Sequence, residues 1–132
     1  MPTRPKVVIA DDNPILRMCV VDLLGSIALD LCQVDTAHAL RSTLAAGRFD
    51  AVVTDVRMPG GSGLDVLRER RAAGDSTPFV VMTGSSPEEM SERVRGVDHV
   101  FILSKPFTCE ELHAALASAL GIGCDLRTLR VS

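Results

Sequence analysis

The stretch AVVTDVRMPGGSG, residues 51–63, decides the fold of this 132-residue chain. Its opening residues predict a strand covered on both faces, because β-branched apolar side chains fit the pleated surface of a buried sheet. The strand ends at Asp55, and Pro59 with the two glycines after it predicts a turn. In open parallel α/β sheets, ligands bind at the carboxyl ends of the strands. Asp55 is therefore the first candidate functional residue, although a lone carboxylate in a loop is more often only a solvated charge.

Further apolar runs along the chain resemble this strand in length and composition. We expect strands at residues 7–10, 29–34, 79–82 and 100–103. The segments between the strands begin with residues that cap a helix or favour its first turn. The predicted helices span residues 14–27, 37–46, 63–73, 87–95 and 109–120.

Alternation of five strands with five helices predicts a doubly wound α/β fold with a parallel sheet, because neighbouring parallel strands require a crossover helix. The common strand order for such a sheet is 2-1-3-4-5, which gives a flavodoxin-like three-layer sandwich. This order reverses between the first and third strands, which end on Asp11-Asp12 and on Asp55. We expect one domain over residues 1–121, and a short C-terminal tail over residues 122–132 with no effector domain.

Composition and charge exclude several classes of protein. The net charge is −3 and no lysine or arginine cluster is present, which argues against direct binding to nucleic acid or to an anionic membrane. No apolar run approaches the roughly 18 residues that a membrane-spanning helix needs, and no signal peptide is recognisable. The cysteines have no C-x-x-C spacing, which favours reduced thiols. We expect a soluble cytoplasmic protein.

Polar residues follow four of the predicted strands, and the fold would bring them to one edge of the sheet. They are Asp11, Asp12, Asp55, Thr83 and Lys105. Neighbouring carboxylates raise each other's pKa unless a cation lies between them, and oxygen ligands of this kind suit Mg²⁺. A lysine and a threonine hydroxyl can bind phosphoryl oxygens. The set predicts Mg²⁺-dependent phosphoryl transfer with Asp55 as the nucleophile.

This ordered set resembles the receiver domain of two-component response regulators, over about residues 6–120. The matching pieces are Asp11-Asp12, Asp55 with Pro59 and Gly63, Thr83-Gly84, and Lys105-Pro106-Phe107. The resemblance implies that Asp55 is phosphorylated by a histidine kinase or a histidine phosphotransfer protein. It also implies that Mg²⁺ is held by Asp12, Asp55 and the backbone carbonyl of Arg57, with Asp11 acting through water.

The resemblance assigns further roles near the other strand ends. Thr83 and Lys105 would bind the phosphoryl oxygens, and the peptide bond before Pro106 would be cis. Many receivers carry a Tyr or Phe three residues before the lysine as a rotamer switch, whereas this chain has Ile102 with Phe101 before it. Strand alternation predicts that these two side chains point to opposite faces of the sheet. We expect the signal to pass instead through the loop after Thr83 and the helix that follows.

The implied function is a phosphoacceptor that assists its own phosphorylation and dephosphorylation, and is not a turnover enzyme on an external substrate. Its output face, formed by the fourth helix, the fifth strand and the fifth helix, would bind a partner or form a phosphorylation-dependent homodimer. The alternatives are a module of a hybrid histidine kinase or larger regulator, or a phosphate sink.

Two other classes fit less well. An FMN-binding flavodoxin needs phosphate donors after the first strand, where Asp11-Asp12 would repel a phosphate. A haloacid-dehalogenase phosphatase needs a second acid two residues after its nucleophile, where this chain has Arg57.

Overall fold

Strands and helices alternate throughout residues 4–122, the part of the chain that the computed structural model describes. The strands are β1 (Lys6–Ala10), β2 (Asp30–Val34), β3 (Ala51–Asp55), β4 (Arg57–Met58), β5 (Gly61–Ser62), β6 (Phe79–Thr83) and β7 (Val100–Ser104). The helices are α1 (Pro14–Leu23), α2 (Ala37–Ala46), α3 (Gly63–Ala72), α4 (Pro87–Arg93) and α5 (Cys109–Leu120).

Five of the strands form one parallel sheet in the order β2-β1-β3-β6-β7. The predicted doubly wound fold and its strand order are thus confirmed. The strands end almost level with one another, since Ala10 pairs with Thr54, Asp55 with Met82, and Thr83 with Ser104. Residues that follow these ends therefore meet at one edge of the sheet.

The sheet separates two hydrophobic cores, because successive side chains of a strand point to opposite faces. Val7 and Ile9 of β1 lie in the core covered by α1 and α5, which Leu24 and Leu116 help to fill. The other core is covered by α2, α3 and α4, and its buried residues include Leu40, Leu64, Leu67, Phe79 and Met90. These two layers of helices complete the expected three-layer sandwich.

The largest departure from the sequence prediction is in α1. The helix ends at Leu23 rather than near Ile27, since Gly25 and Ser26 favour a turn there and Ile27 is buried in that turn. Ile15 and Cys19 continue the apolar pattern of this helix, which by its spacing predicts a wide buried stripe, but both are exposed. The stripe that packs on the sheet is narrower than the apolar pattern suggested, because the helix turns its Ile15 side outward.

The predicted turn after Asp55 contains a small hairpin that the sequence pattern did not reveal. β4 and β5 pair antiparallel through two residues each. Gly60 lies between the two strands and Gly61 begins β5. Their φ values are 83° and 144°, a region that glycine adopts without steric cost. The hairpin leads directly into α3, whose first turn is capped by the Ser62 hydroxyl.

The amino-terminal edge of the sheet is held by Arg71 of α3. Its guanidinium donates hydrogen bonds to the backbone carbonyls of Asp75, Asp98 and His99 at 2.9–3.2 Å. It also lies 5.7 Å from the centre of the Phe79 ring, at the start of β6. Burial lowers the pKa of Arg71, although Asp75 and Asp98 oppose that effect. One side chain thus fixes two connections that precede β6 and β7.

The prediction of a C-terminal tail concerns residues that lie, from 123 onward, outside the described range. The division into a domain over residues 1–121 and a tail therefore stays a prediction. Within the described range, the model contains no helix with the length and apolar character needed to cross a membrane.

Candidate functional site

Three carboxylates meet at the carboxyl edge of the sheet, as the strand order requires. Asp11 and Asp12 follow β1 and Asp55 ends β3, and each offers an oxygen within 4.8 Å of the other two. Asp11 is buried, Asp55 is half-buried and Asp12 is exposed. The cluster is therefore open to solvent on the Asp12 side, where an ion with retained waters has access.

Asp11 is the buried member of this acidic cluster. One carboxylate oxygen, Oδ1, accepts a hydrogen bond from the Asn13 backbone N–H at 2.9 Å. The other, Oδ2, is buried and has no hydrogen-bond partner among the described residues. Burial raises the pKa of Asp11, the charges of Asp55 and Asp12 raise it further, and the Asn13 amide and Lys105 oppose them.

This cluster fits a divalent cation. A buried oxygen without a partner costs free energy, and so do neighbouring like charges. A hard cation with oxygen ligands relieves both costs, because it neutralises the carboxylates and satisfies their lone pairs. The donor set of Asp11, Asp12 and Asp55 therefore suits Mg²⁺.

Lys105, which follows β7, forms an ion pair with Asp55. Its Nζ is 3.1 Å from Asp55 Oδ1, and the Lys105 and Asp55 side chains are only 27% and 16% exposed. The Val56 N–H also donates to Oδ1, at 2.9 Å. The Lys105 backbone N–H donates to the Thr83 carbonyl at 2.7 Å, and its peptide bond to Pro106 is cis, as expected.

Thr83 ends β6 beside the same carboxylate and is buried. Its hydroxyl oxygen accepts a hydrogen bond from the Ser85 N–H at 2.9 Å, so the side chain already holds the first turn of the following loop. Since a hydroxyl both accepts and donates, its hydrogen is left to donate to an anion.

A cleft of about 440 Å³ opens above Asp55. It is lined by Asp55, Val56, Arg57, Thr83, Gly84, Ser85, Arg93 and Lys105. The lining includes four of the six predicted site residues, Asp55, Arg57, Thr83 and Lys105, while Asp11 and Asp12 cluster with Asp55 beside it. Arg93 was not predicted to belong to it. No signal in the sequence pattern marked it, because it lies on a helix and not at the end of a strand.

Two residues that the sequence analysis did not single out hold the loop after β1. Arg17 Nη1 donates to the Asp11 carbonyl at 2.7 Å, while its Nε lies 3.3 Å from the Gln33 side-chain oxygen. The Asn13 side chain accepts from two N–H groups of the first turn of α1. These contacts fix where the adjacent carboxylates stand.

A close approach of backbone segments supports the Asp55 loop. A Cβ at Gly63 would lie 2.4 Å from the Asp55 carbonyl oxygen and 2.7 Å from the Thr54 hydroxyl. The Gly63 N–H donates to the Val56 carbonyl at 2.8 Å, and the Thr54 hydroxyl donates to the Asp55 carbonyl at 2.9 Å. Only glycine lets α3 begin this close to the strand end.

The two residues at the place of the family's aromatic switch lie on opposite faces of β7, as predicted. Phe101 packs against the core beneath α1 and α5. Ile102 packs against the core beneath α2, α3 and α4. The only ring at this point therefore lies on the far side of the sheet from α4.

Sequence comparison relates this chain to proteins of known family. The family model for the response regulator receiver domain matches residues 7–117. Response regulator MprA of Mycolicibacterium vanbaalenii is 38% identical over 125 residues, covering 91% of this chain and 51% of MprA. Transcriptional regulatory protein FixJ of Bradyrhizobium diazoefficiens is 31% identical over 120 residues, covering 91% of this chain and 58% of FixJ. The chain thus spans about half the length of the curated relatives it matches.

Solved structures share the fold. Chemotaxis response regulator CheY4 of Vibrio cholerae superposes with a TM-score of 0.81 at 25% identity, over 89% of this chain and 100% of that one. The receiver domain of a sensor histidine kinase from Pseudomonas aeruginosa PAO1 gives 0.79 at 24% identity, over 89% and 98%. That structure is described as having a magnesium ion coordinated in its active-site cleft.

Proposed function

This chain belongs to the receiver domain family of two-component response regulators, and from that premise we propose that it accepts a phosphoryl group on Asp55. The observation that carries the proposal is the placement of the Asp55 carboxylate. It lies 3.1 Å from the Lys105 Nζ, clusters with two further carboxylates and lines an open cleft. A carboxylate that attacks a phosphoryl group needs nearby cations, because both groups are anions. Lys105 supplies one, and the acidic cluster can hold another.

The phosphoryl donor we propose is the phosphohistidine of a histidine kinase or phosphotransfer protein. The bond from phosphorus to the donor nitrogen breaks as a bond from phosphorus to an Asp55 oxygen forms. The imidazole leaves with the electron pair of the broken bond, and it is neutral because its other nitrogen carries a proton. Asp55 becomes an acyl phosphate. Lys105 and the Thr83 hydroxyl bind its phosphoryl oxygens.

Mg²⁺ is the cofactor we propose for the acidic cluster. Asp12, Asp55 and the backbone carbonyl of Arg57 would hold it, with Asp11 acting through water. When bound, it supplies positive charge to the phosphoryl oxygens. The unpartnered buried oxygen of Asp11 supports this assignment, as does the magnesium described for the Pseudomonas aeruginosa receiver domain.

The acyl phosphate is then lost by hydrolysis at the same site. Water attacks phosphorus, the bond to Asp55 breaks, and the carboxylate leaves with the electron pair while a proton passes to solvent. The chain restores its own carboxylate in this way and turns over no external substrate. It therefore acts as a timed signal, and its output passes through the face formed by α4, β7 and α5, by partner binding or homodimer formation.

The role of the whole protein is a separate proposal, because the chain spans about half of its curated relatives. We favour a phosphoacceptor unit whose signal is read by another protein. A module of a hybrid histidine kinase or larger regulator, and a phosphate sink, are the alternatives. A cytoplasmic location and the absence of direct nucleic-acid binding stay predictions.

Phosphorylation of purified protein tests the central proposal. With phosphoramidate and Mg²⁺, the chain should gain one phosphoryl group that is acid-labile and removed by hydroxylamine. Asp55→Asn should abolish the gain. Asp65→Asn is the matched control, because Asp65 is an exposed aspartate of α3 with only a 3.7 Å contact to Arg68. Persistent labelling of Asp55→Asn, or loss of labelling in Asp65→Asn alone, would contradict the assignment.

A further inference from the structure

We propose that Arg93, the last residue of α4, binds the phosphoryl group on Asp55 and ties α4 directly to the phosphorylated site. The inference rests on the proposed function and adds a residue to it. Its starting point is the cleft, which Arg93 lines together with Asp55, Thr83 and Lys105.

Arg93 has an uncommitted guanidinium, unlike Arg68 and Arg95. Arg68 of α3 lies 3.7 Å from Asp65, and Arg95 lies 3.6 Å from Glu92. Between residues 4 and 122, no side-chain hydrogen bond or ion pair engages the Arg93 guanidinium. It is thus available to an incoming anion without breaking an existing pair.

The direction of the side chain follows from helix geometry. Side chains of an α-helix lean toward its amino terminus, which in α4 adjoins the loop after Thr83. α4 has seven residues and is therefore about 10 Å long, a distance that an arginine side chain covers in large part. Meanwhile the Arg93 carbonyl accepts a hydrogen bond from Arg68 Nη2 at 2.6 Å, which holds the base of the side chain against α3.

Phosphorylation creates the charge that this guanidinium can neutralise. Asp55 carries one negative charge before the reaction, and Lys105 already balances it at 3.1 Å. A phosphoryl group carries about two negative charges and three acceptor oxygens. Lysine binds as a point charge, whereas an arginine fork matches two phosphate oxygens at once. The Arg93 guanidinium would add to the positive charge that Lys105 and the proposed Mg²⁺ bring to the phosphoryl oxygens.

The contact also provides a route for the signal where the aromatic switch is missing. Ile102 has no ring to move, and Phe101 lies on the opposite face of the sheet. An Arg93 guanidinium drawn toward Asp55 would pull on α4 itself, which is one element of the proposed output face. The signal then reaches α4 both through the Thr83 loop and through its own last residue.

Beryllofluoride with Mg²⁺ is the probe that tests this, because it mimics the phosphoryl group on an aspartate. Wild type, Arg93→Gln and Arg95→Gln are titrated and followed by amide chemical shifts. We expect Arg93→Gln to weaken beryllofluoride binding about threefold to tenfold, the range for a partly screened charge contact. We expect it also to reduce the shift changes over residues 87–93. Arg95→Gln removes the same charge from the next exposed arginine and should leave both unchanged.

The outcomes separate this inference from the function on which it rests. Equal affinity and equal α4 shifts in Arg93→Gln and wild type would overturn the role of Arg93 and leave phosphorylation of Asp55 intact. Equal losses in Arg93→Gln and Arg95→Gln would also overturn it, since they would reflect net charge alone. If wild type took up no beryllofluoride, the proposed function would fall together with the inference. Melting temperatures without the probe verify that both exposed substitutions leave the fold intact.

Discussion

Single carboxylates account for much of the behaviour expected of the site. Burial and neighbouring charge both raise the pKa of Asp11, so its ionised form costs the folded chain free energy at neutral pH. That cost is the counterpart of the affinity for a divalent cation. Binding of the proposed cation should therefore recover the stability that the metal-free protein loses at this site.

The proposed metal site predicts that Asp12→Ala changes the melting temperature in one direction without Mg²⁺ and reduces the effect of adding Mg²⁺. Asp12→Ala should raise the melting temperature without Mg²⁺, because it relieves repulsion, and should shrink the increase that Mg²⁺ causes. For wild type that increase corresponds to about 2.7 kcal/mol at a concentration of 100 times Kd. Thermal unfolding with and without Mg²⁺ measures both effects.

Asp22→Ala is the control for this experiment, because it removes an equal charge from an exposed position of α1. Its Mg²⁺-dependent increase should match that of wild type. Identical increases in all three proteins would remove Asp12 from the ligand set.

Arg93 shows what a sequence pattern misses at this scale. The site residues that were predicted each follow a strand, so the chain order alone placed them at one edge. Arg93 enters the cleft from the far end of a helix, across the space above the sheet. Such a contact depends on side-chain direction in three dimensions, which strand ends do not encode.

At the scale of elements, we expect the loop from Thr83 to α4 to be the segment that moves on phosphorylation. Ser85 is held by the Thr83 hydroxyl, and α4 is short and makes its buried contact mainly through Met90. A phosphoryl group that draws the hydroxyl toward it should therefore also draw Ser85 and shift the helix behind the loop, because Ser85 stays bonded to the same oxygen.

We expect the amide shifts caused by beryllofluoride to concentrate at residues 83–95. Thr83→Ala should suppress them, because it removes the hydroxyl that links the phosphoryl group to the loop. Ile102→Ala should leave most of them in place, because Ile102 only packs against the core. Two-dimensional amide spectra of the three proteins report this directly.

Two results would refute this coupling scheme. One is a response limited to residues that contact the metal. The other is a response that disappears in Ile102→Ala while Thr83→Ala retains it.

The helices also show where sequence patterns lose precision. The apolar positions of α1 predicted a wide stripe, yet only its Val20 and Leu24 side is fully buried and Ile15 is 75% exposed. Amphipathic spacing identifies a helix, but it cannot say which edge of a wide stripe meets the sheet. The paired strands β4 and β5 have two residues each, too few to produce any periodicity.

For the molecule as a whole, the strand order was predictable because alternating strands and helices require a parallel sheet, and the order observed is a common one for such sheets. The level register of β1, β3 and β6 then assembles the predicted site without further information. What the sequence could not provide is the burial of each acid. Asp11 and Asp12 are neighbours in the chain, and one is buried while the other is exposed.

The pH dependence of global stability should be set in part by Asp75, at the edge of the sheet opposite the site. Burial alone would raise its pKa, but hydrogen bonds from Thr77 and the Arg70 guanidinium outweigh it and lower the pKa. A lowered pKa adds stability above the unfolded value of about 3.9, and that stability is lost as the pH falls through the folded value. Asp75→Asn should therefore cost about 1–2 kcal/mol at pH 7.

Urea unfolding at pH 7 and near pH 3 measures the difference. The difference in the free energy of unfolding between wild type and Asp75→Asn should narrow at the lower pH. Asp65→Asn removes only an exposed ion pair and should cost little at either pH. A gap that is the same at both pH values would show that the ionised carboxylate of Asp75 is not the source of the stability.

The Arg71 contacts give the molecule a fixed end and a free end. The segments before β6 and β7 hang from one guanidinium, while the segments after them carry the reactive groups. The amino-terminal edge is thus held by several hydrogen bonds, and we expect displacements to be larger at the carboxyl edge, away from them. The proposed phosphorylation takes place at that carboxyl edge, so a rearrangement of oxygens there should move the surface offered to a partner more than it moves the edge held by Arg71.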